Sequence, residues 1–526
     1  MSLHVGTAVL PNLHYYRPPV DPPRPRTLQA DVCVYGGTSA GVIAAVQAAR
    51  LGLSVIVLEF GDHLGGLSSG GLGATDIGNK AAIGGLSRLF YQRLGAHYGE
   101  PEAWKFEPGV AEGVFEAFVG EHGIAVHRGE RLAEGAGVER SADRLAALQC
   151  ESGLRVEARM FIDATYEGDL LAAAGVPFHV GREANSVYRE TLNGVHFGHP
   201  GHNFRAWVDP YVSPGNPSSG LLPFVQDLAP GFQGEGDACV QAYNFRMCLC
   251  RRAGNMLAFP KPAGYDADRY ELLRRYLDAG IWDAIRLNVM MPNDKTDCNN
   301  YGGFSSDHIG ANYDWPTGSY QRREEVFQDH VGYLAGMWYF LANDPRVPDA
   351  VRREVNGWGL AADEFRATGG WPHQLYIREA RRMVSDVVMV EQHCRLLRRV
   401  EDSVGLAAYT MDSHNCRRIV LDGRVINEGN VEVPPSAPYS ISYRSIVPPS
   451  SGPGAVGNLL VPICLSSSHI AYGSIRMEPV FMVLGQSAAT AAATALRLGC
   501  RVQDVPYAEL RSKLLADGQI LEWTGA

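Results

Sequence analysis

Residues 31–59 read DVCVYGGTSAGVIAAVQAARLGLSVIVLE. The residues before Gly36 are mostly apolar, as in a strand buried on both faces. Gly36-Gly37-Thr38-Ser39-Ala40-Gly41 follows at once. Small and aliphatic residues then recur at helical spacing as far as Gly52, a helix stop, and SVIVLE forms a second strand ending in Glu59. Two strands joined through a helix must run parallel, and a parallel sheet needs helices over both faces. This one stretch therefore commits the chain to an α/β fold.

Each part of the stretch has a physical task. Gly36 makes the tight turn out of the strand, and Gly41 lets the helix pack on the sheet. The helix N-terminus, at Thr38, Ser39 and Ala40, offers free N–H groups and the positive end of a dipole to a diphosphate. Glu59 lies at the spacing used to bind ribose hydroxyls and disfavours a 2′-phosphate, so NADP is not expected. Thr38 stands where a third glycine is usual. Either Gly37 supplies the missing room, or the Thr38 hydroxyl turns toward a phosphate.

The next segment, EFGDHLGGLSSGGLGATDIG, has glycines at 61, 65, 66, 70, 71, 73 and 78, with Leu64, Leu67, Leu72 and Ile77 as apolar anchors. Such a loop is long enough to be functional. It suits a ribityl chain and a flat ring, which favours FAD over NAD. Its expected contacts are Phe60, His63, Gly65, Gly66, Ser69, Gly70 and Gly71. Further on, the strand MFIDAT ends in Ala164-Thr165, and Gly168-Asp169 follows. Near the C-terminus, Pro479 opens a helix of small residues, including Gly485, that faces the sheet or the ring.

These motifs resemble the large family of FAD-dependent oxidoreductases with a glutathione-reductase-like FAD domain. GGTSAGVIAAVQAAR and HLGGLSSGGLGATDIG resemble a subgroup whose turn carries Thr in place of the middle glycine; some of its members are labelled xanthan lyase. QAYNFRMCL (241–249), PNDKTDCNNYGGFSSDHIG (292–310), PHQLYIREARRMV (372–384), YTMDSHNCRR (409–418), YSISYRSIVP (439–448) and the block at 458–493 extend the likeness. The resemblance implies noncovalent FAD in a Rossmann-like domain with an inserted α+β substrate domain. The expected boundaries are an arm at 1–27, FAD-binding parts at 28–185 and 440–510, a substrate domain with a helical part at 186–439, and a tail at 511–526. Helical periodicity marks 322–344 and 376–397.

Flavin performs the redox step, so the protein needs positioning and proton handling. His469 in SSSHIAYGS precedes the small-residue helix, and an imidazole is a base by type. Tyr443 is a proton donor by type. Arg444 and Arg476 are candidate clamps for a carboxylate or oxyanion, and Arg378 is either a clamp or part of a structural ion pair with its neighbours. Asp297, Asn299, Asn300 and the Asp412-Ser413-His414 run form polar clusters that bind a hydroxyl-rich ligand or satisfy buried backbone.

Lys and Arg total 47 against 57 Asp and Glu, a net charge of −10, which argues against nucleic acid or an anionic membrane as partner. The ten cysteines show no CxxC or Cys/His metal spacing, so no metal is expected and a cytoplasmic, reduced setting is. The start lacks a signal peptide's apolar core and no segment reads as a membrane span. A small-molecule substrate is the expected partner, and a homo-oligomer is compatible with the chain. The favoured reading is a dehydrogenase or oxidase that moves a hydride from a small polar, hydroxylated molecule to flavin N5. The alternatives are a redox-neutral lyase with an assisting flavin, and a nucleotide-binding module without catalysis.

Overall fold

The computed structural model describes residues 9–525. Of the expected arm and tail, residues 1–8 and 526 lie outside the described residues. Strands β1 (Arg26–Tyr35), β2 (Val55–Glu59) and β3 (Ala125–Arg128) run parallel in the order β3-β2-β1. β4 (Val138–Ser141) and β5 (Arg144–Gln149) form an antiparallel hairpin, and β6 (Leu154–Asp163) lies parallel to β1 on its free side. The first half of β6 pairs with β5. Its second half takes a parallel partner from far along the chain, with Leu459 and Leu460 beside Phe161 and Ile162. Val32, Cys33, Val34 and Tyr35 have no exposed surface, as a doubly covered strand requires.

Helix α1 (Ser39–Arg50) leaves the glycine turn and packs on the helix Glu478–Leu498. The two approach so closely that a Cβ on Gly485 would lie 2.3 Å from the Ala40 carbonyl oxygen. The helix Glu478–Leu498 is long and apolar enough to cross a membrane, but it is mostly buried in protein and serves as a core helix.

A second, antiparallel sheet is built from Met247–Cys250, Lys295–Cys298, Gly359–Ala361 and Met256–Leu257. Beside it runs the helix Tyr320–Asn343, where the periodicity at 322–344 predicts one. Ser319 caps it by accepting the Arg322 N–H at 3.1 Å. Trp338 and Phe340 are buried on it and Tyr339 is half-buried.

Residues 376–397 are not the helix their periodicity predicts. They run irregularly, with a two-residue strand at Arg382–Met383 and one short helical turn at Glu391–Cys394. Arg378, Glu379, Arg381 and Arg382 are all buried. From Tyr376 to Met383 the segment crosses the interior with every residue buried, so its apolar pattern there reports burial rather than one helix face. Arg378 and Arg382 consequently share no face: Arg378 pairs with Asp307 and Arg382 with Glu183.

Candidate cofactor and substrate site

The glycine turn is fixed by close approach. Gly36 has φ +103°, and a Cβ there would lie 2.7 Å from the Ala164 carbonyl oxygen. A Cβ on Gly41 would lie 1.9 Å from the Gly36 carbonyl oxygen. Thr38 sits between them as the N-cap of α1. Its Oγ1 accepts the Gly41 N–H at 3.2 Å and donates to the Ala164 carbonyl at 2.8 Å. The hydroxyl thus serves the helix and the neighbouring strand. Glu59 accepts the N–H groups of Gly37 and Gly61, each at 2.6 Å. Burial pushes its carboxyl above the ordinary value in spite of those two bonds.

Beside this turn lies a cavity of about 460 Å³, lined by Thr38, Glu59, Phe60, His63, Gly66 and Tyr166 on the sheet side. His63 stacks on His373 at 3.8 Å and bonds Glu112 at 2.7 Å. The loop after β2 then passes Phe115, Tyr166, Gln374 and Arg246, and at Gly65, Gly66, Gly70 and Gly71 any Cβ would clash. Ser69 ties the loop to itself by donating to the Gly66 carbonyl at 3.2 Å. The donor set fits FAD: a capped helix N-terminus for a diphosphate, an acid for ribose hydroxyls, and a glycine loop that lines the same cavity at Gly66.

Beyond the glycine loop lies a buried polar cluster. Asp297 accepts the N–H groups of Gly73 and Ala74, each at 3.0 Å, and takes Arg246 through two bonds of 2.7 and 2.6 Å. Arg246, Arg378 and Arg476 surround the ring of Tyr376, at 5.7, 4.4 and 5.8 Å from its centroid. The short helix His469–Ile475 brings two expected site residues here. His469 Nδ1 lies 2.8 Å from Glu379, and its Nε2 lies 2.9 Å from Ser413 Oγ. Burial opposes ionisation of Glu379, but His469 and Arg382 hold its carboxyl below the usual value. Arg476 donates to the Tyr376 hydroxyl at 2.8 Å and to Asp412 at 3.2 Å. Gln241 links the halves, donating to Glu379 at 3.2 Å and accepting from Arg476 at 3.1 Å. Asp76 and Asp412 keep 30% and 17% of their side chains exposed, and Tyr409 donates to Asp76 at 3.4 Å. Asn299 accepts from Arg378 at 3.3 Å, and His414 pairs with Asp307 at 2.9 Å, so both polar runs converge.

A family model described as FAD dependent oxidoreductase matches residues 31–514. The chain belongs to this family. It is an FAD-dependent enzyme with a Rossmann-like cofactor fold. Similar solved structures include an L-amino acid deaminase from Proteus vulgaris, 16% identical, covering 31% of this chain and 54% of that one with a TM-score of 0.24. Another is a 3-ketosteroid-delta4-(5alpha)-dehydrogenase from Rhodococcus jostii RHA1, 17% identical, covering 29% and 51% with a TM-score of 0.20. The flavoenzyme spans about a third to a half of the length of the structures it matches. No curated protein matches it.

Several expected site residues of this oxidoreductase lie elsewhere. Tyr443 donates to the Val502 carbonyl at 2.6 Å, and Arg444 is an exposed partner of Asp402 at 3.0 Å; neither reaches the cluster around Tyr376. Asp169 is paired with Arg323 at 2.7 and 2.8 Å and with Arg381 at 2.7 Å. Gly168, at φ +69°, starts the helical turn Asp169–Ala173, and Thr165 is bonded to Asp163 at 2.7 Å. Gly485 serves helix packing. One buried carboxylate had no signal in the sequence. Glu478 accepts hydroxyl groups from Ser39 at 2.5 Å, Tyr166 at 2.7 Å and Ser68 at 3.1 Å. Burial, without a basic partner, pushes its carboxyl up. It joins the N-terminus of α1, the glycine loop and the last core helix, three segments that only the fold brings together.

Proposed function

We propose that this flavoenzyme oxidises a small, polar, hydroxyl-bearing molecule at the polar cluster of Asp76, Tyr376, Tyr409 and Asp412. One observation carries the reading: each guanidinium around Tyr376 already has a carboxylate, in the pairs Arg246–Asp297, Arg378–Asp307 and Arg476–Asp412. Asp76 adds a fourth acid. Such a cluster offers hydrogen bonds without net positive charge, which favours hydroxyl groups over a carboxylate. Bound FAD supplies the hydride-accepting centre.

In this reading Arg476 orients the Tyr376 hydroxyl, whose own proton is then free to bond a substrate oxygen. His469 is the base, with Glu379 setting its tautomer and the Ser413 hydroxyl carrying the substrate proton to Nε2. Asp412 is a poor base. Burial would raise its carboxyl, but His414 and Arg476 hold it well below the usual range. Anaerobic mixing of the FAD-loaded protein with alcohols, sugars, amines and hydroxy acids tests the proposal. Hydroxylated compounds should bleach the visible flavin band and yield products two hydrogens lighter. No bleaching by any of them sinks it, and products of unchanged mass point to lyase chemistry.

A further inference from the structure

The outer wall of the cofactor cavity is supplied by the N-terminal arm, from Asn12 to Arg17 and at Pro19. Helix Tyr320–Asn343 holds this arm in place. Glu324 accepts the backbone N–H groups of Tyr15 and Tyr16 at 2.7 and 2.9 Å, and His14 pairs with its other oxygen at 2.8 Å. Gln328 donates to the Leu13 carbonyl at 2.8 Å and accepts the Val9 N–H at 2.9 Å. The Tyr15 ring packs on Trp315 at 4.6 Å and on Phe60 at 5.8 Å, Phe60 being the residue next to the ribose-binding acid.

Arg131, just past the end of β3, faces the same space. It lines the cavity together with Glu59 and is 5% exposed. Its guanidinium lies over the rings of Tyr15, Phe60 and Tyr320 at 4.5, 4.4 and 4.7 Å. One nitrogen, Nη2, donates to the Tyr15 carbonyl at 2.7 Å. The other, Nη1, is buried and has no hydrogen-bond partner among the described residues. A buried, charged donor without an acceptor is costly, so the site is built for an acceptor that the protein does not itself provide.

We infer that Arg131 and the arm around Tyr15 form the retaining wall for the adenosine-diphosphate half of FAD, with Arg131 Nη1 donating to it and the arm strapped over it by Glu324. The placement follows from the company they keep: Thr38 at the diphosphate end and Glu59 at the ribose line the same cavity. Neither Arg131 nor the arm belongs to the glycine fingerprint. The inference concerns how FAD is held and stands apart from the choice of substrate.

The test is FAD release from the holoenzyme, followed by the recovery of flavin fluorescence on dilution. Arg131→Met keeps the stem and removes the donors. Glu324→Ala frees the arm without touching the cavity wall. Each should speed FAD release by about tenfold, the effect of losing one hydrogen bond to a charged group. ADP alone, as a probe of the apoprotein, should lose affinity by the same factor. Unchanged release and unchanged ADP affinity in both folded variants would overturn the inference. Should Arg131→Met fail to fold, hydrogen exchange on the wild type decides. FAD should slow exchange of the Tyr15 and Tyr16 amides, and equal rates with and without FAD would refute the strap.

Discussion

Substituting Gly41 by alanine sets two effects of opposite sign against each other. Alanine is the better helix former by about 1 kcal/mol in a helix interior. At this site, however, the new Cβ would stand 1.9 Å from the Gly36 carbonyl oxygen and 3.2 Å from the Ala164 Cβ. Gly36 has little room to retreat, because at φ +103° the place a Cβ would take on it is closed by the Ala164 carbonyl oxygen, 2.7 Å away. The atoms that must move are backbone, so the strain falls at the upper end of the 1–3 kcal/mol typical of overpacking, about 3 kcal/mol. The net expectation is a loss of about 2 kcal/mol. FAD affinity should fall with it, since opening the turn moves the N–H groups that face the diphosphate. Gly113→Ala is the matched control. Gly113 lies on the exposed side of α3 (Pro108–Glu121), and a Cβ there meets nothing within 4 Å. That change should stabilise by about 0.5–1 kcal/mol. Urea midpoints of the two apoproteins and FAD titrations measure both quantities. A Gly41→Ala protein as stable as Gly113→Ala, with undiminished FAD affinity, would refute the reasoning.

Thr38→Ala should lose about 1 kcal/mol, the worth of an N-cap, whereas Thr38→Gly should lose only a few tenths; equal losses in thermal melts would deny the capping role. Asp163 is buried and its pKa is pushed from 3.8 up to about 6, chiefly by burial and against bonds from Leu171 and Thr165. A raised carboxyl makes the folded state hold its proton longer, so the stability of wild type relative to Asp163→Asn should fall as pH rises from about 4 to about 6. Denaturant midpoints measured across that window check the sign. Asp297→Asn leaves Arg246 without its buried partner and weakens the anchor of Gly73 and Ala74, and should cost about 3–5 kcal/mol by urea unfolding. His469→Asn should retain FAD, seen in its absorbance, while substrate-driven bleaching slows by at least about a hundredfold.

The nucleotide half of the fold was legible because its signals are local. Gly36, Gly41 and Glu59 act within thirty residues of one another, and each requires its residue type for a steric or charge reason visible in the sequence. The helix Tyr320–Asn343 announced itself by periodicity in the same way. Residues 376–397 misled, because apolar spacing cannot tell one helix face from an irregular segment threaded through the core. Thr38 was ambiguous for a different reason: a hydroxyl at that position serves as cap or as ligand, and only its distances to Gly41 and Ala164 decide. Glu478, Tyr166 and Arg131 were out of reach. Their roles arise from partners far away in the sequence, and no single segment records such a meeting. Tyr443 and Arg444 looked chemical by type, and only the fold places them beside Val502 and Asp402.

The late partner of β6 shapes how this protein is made. Phe161 and Ile162 emerge from the ribosome early, but Leu459 and Leu460 follow about 300 residues later, roughly 15–60 s at ordinary elongation rates. Helix Glu478–Leu498, which closes over α1, arrives later still. Throughout that interval the nascent nucleotide sheet carries a bare edge and an uncovered apolar flank. Newborn chains should therefore depend on holding chaperones until translation is almost finished, and chains truncated before residue 460 should aggregate rather than accumulate.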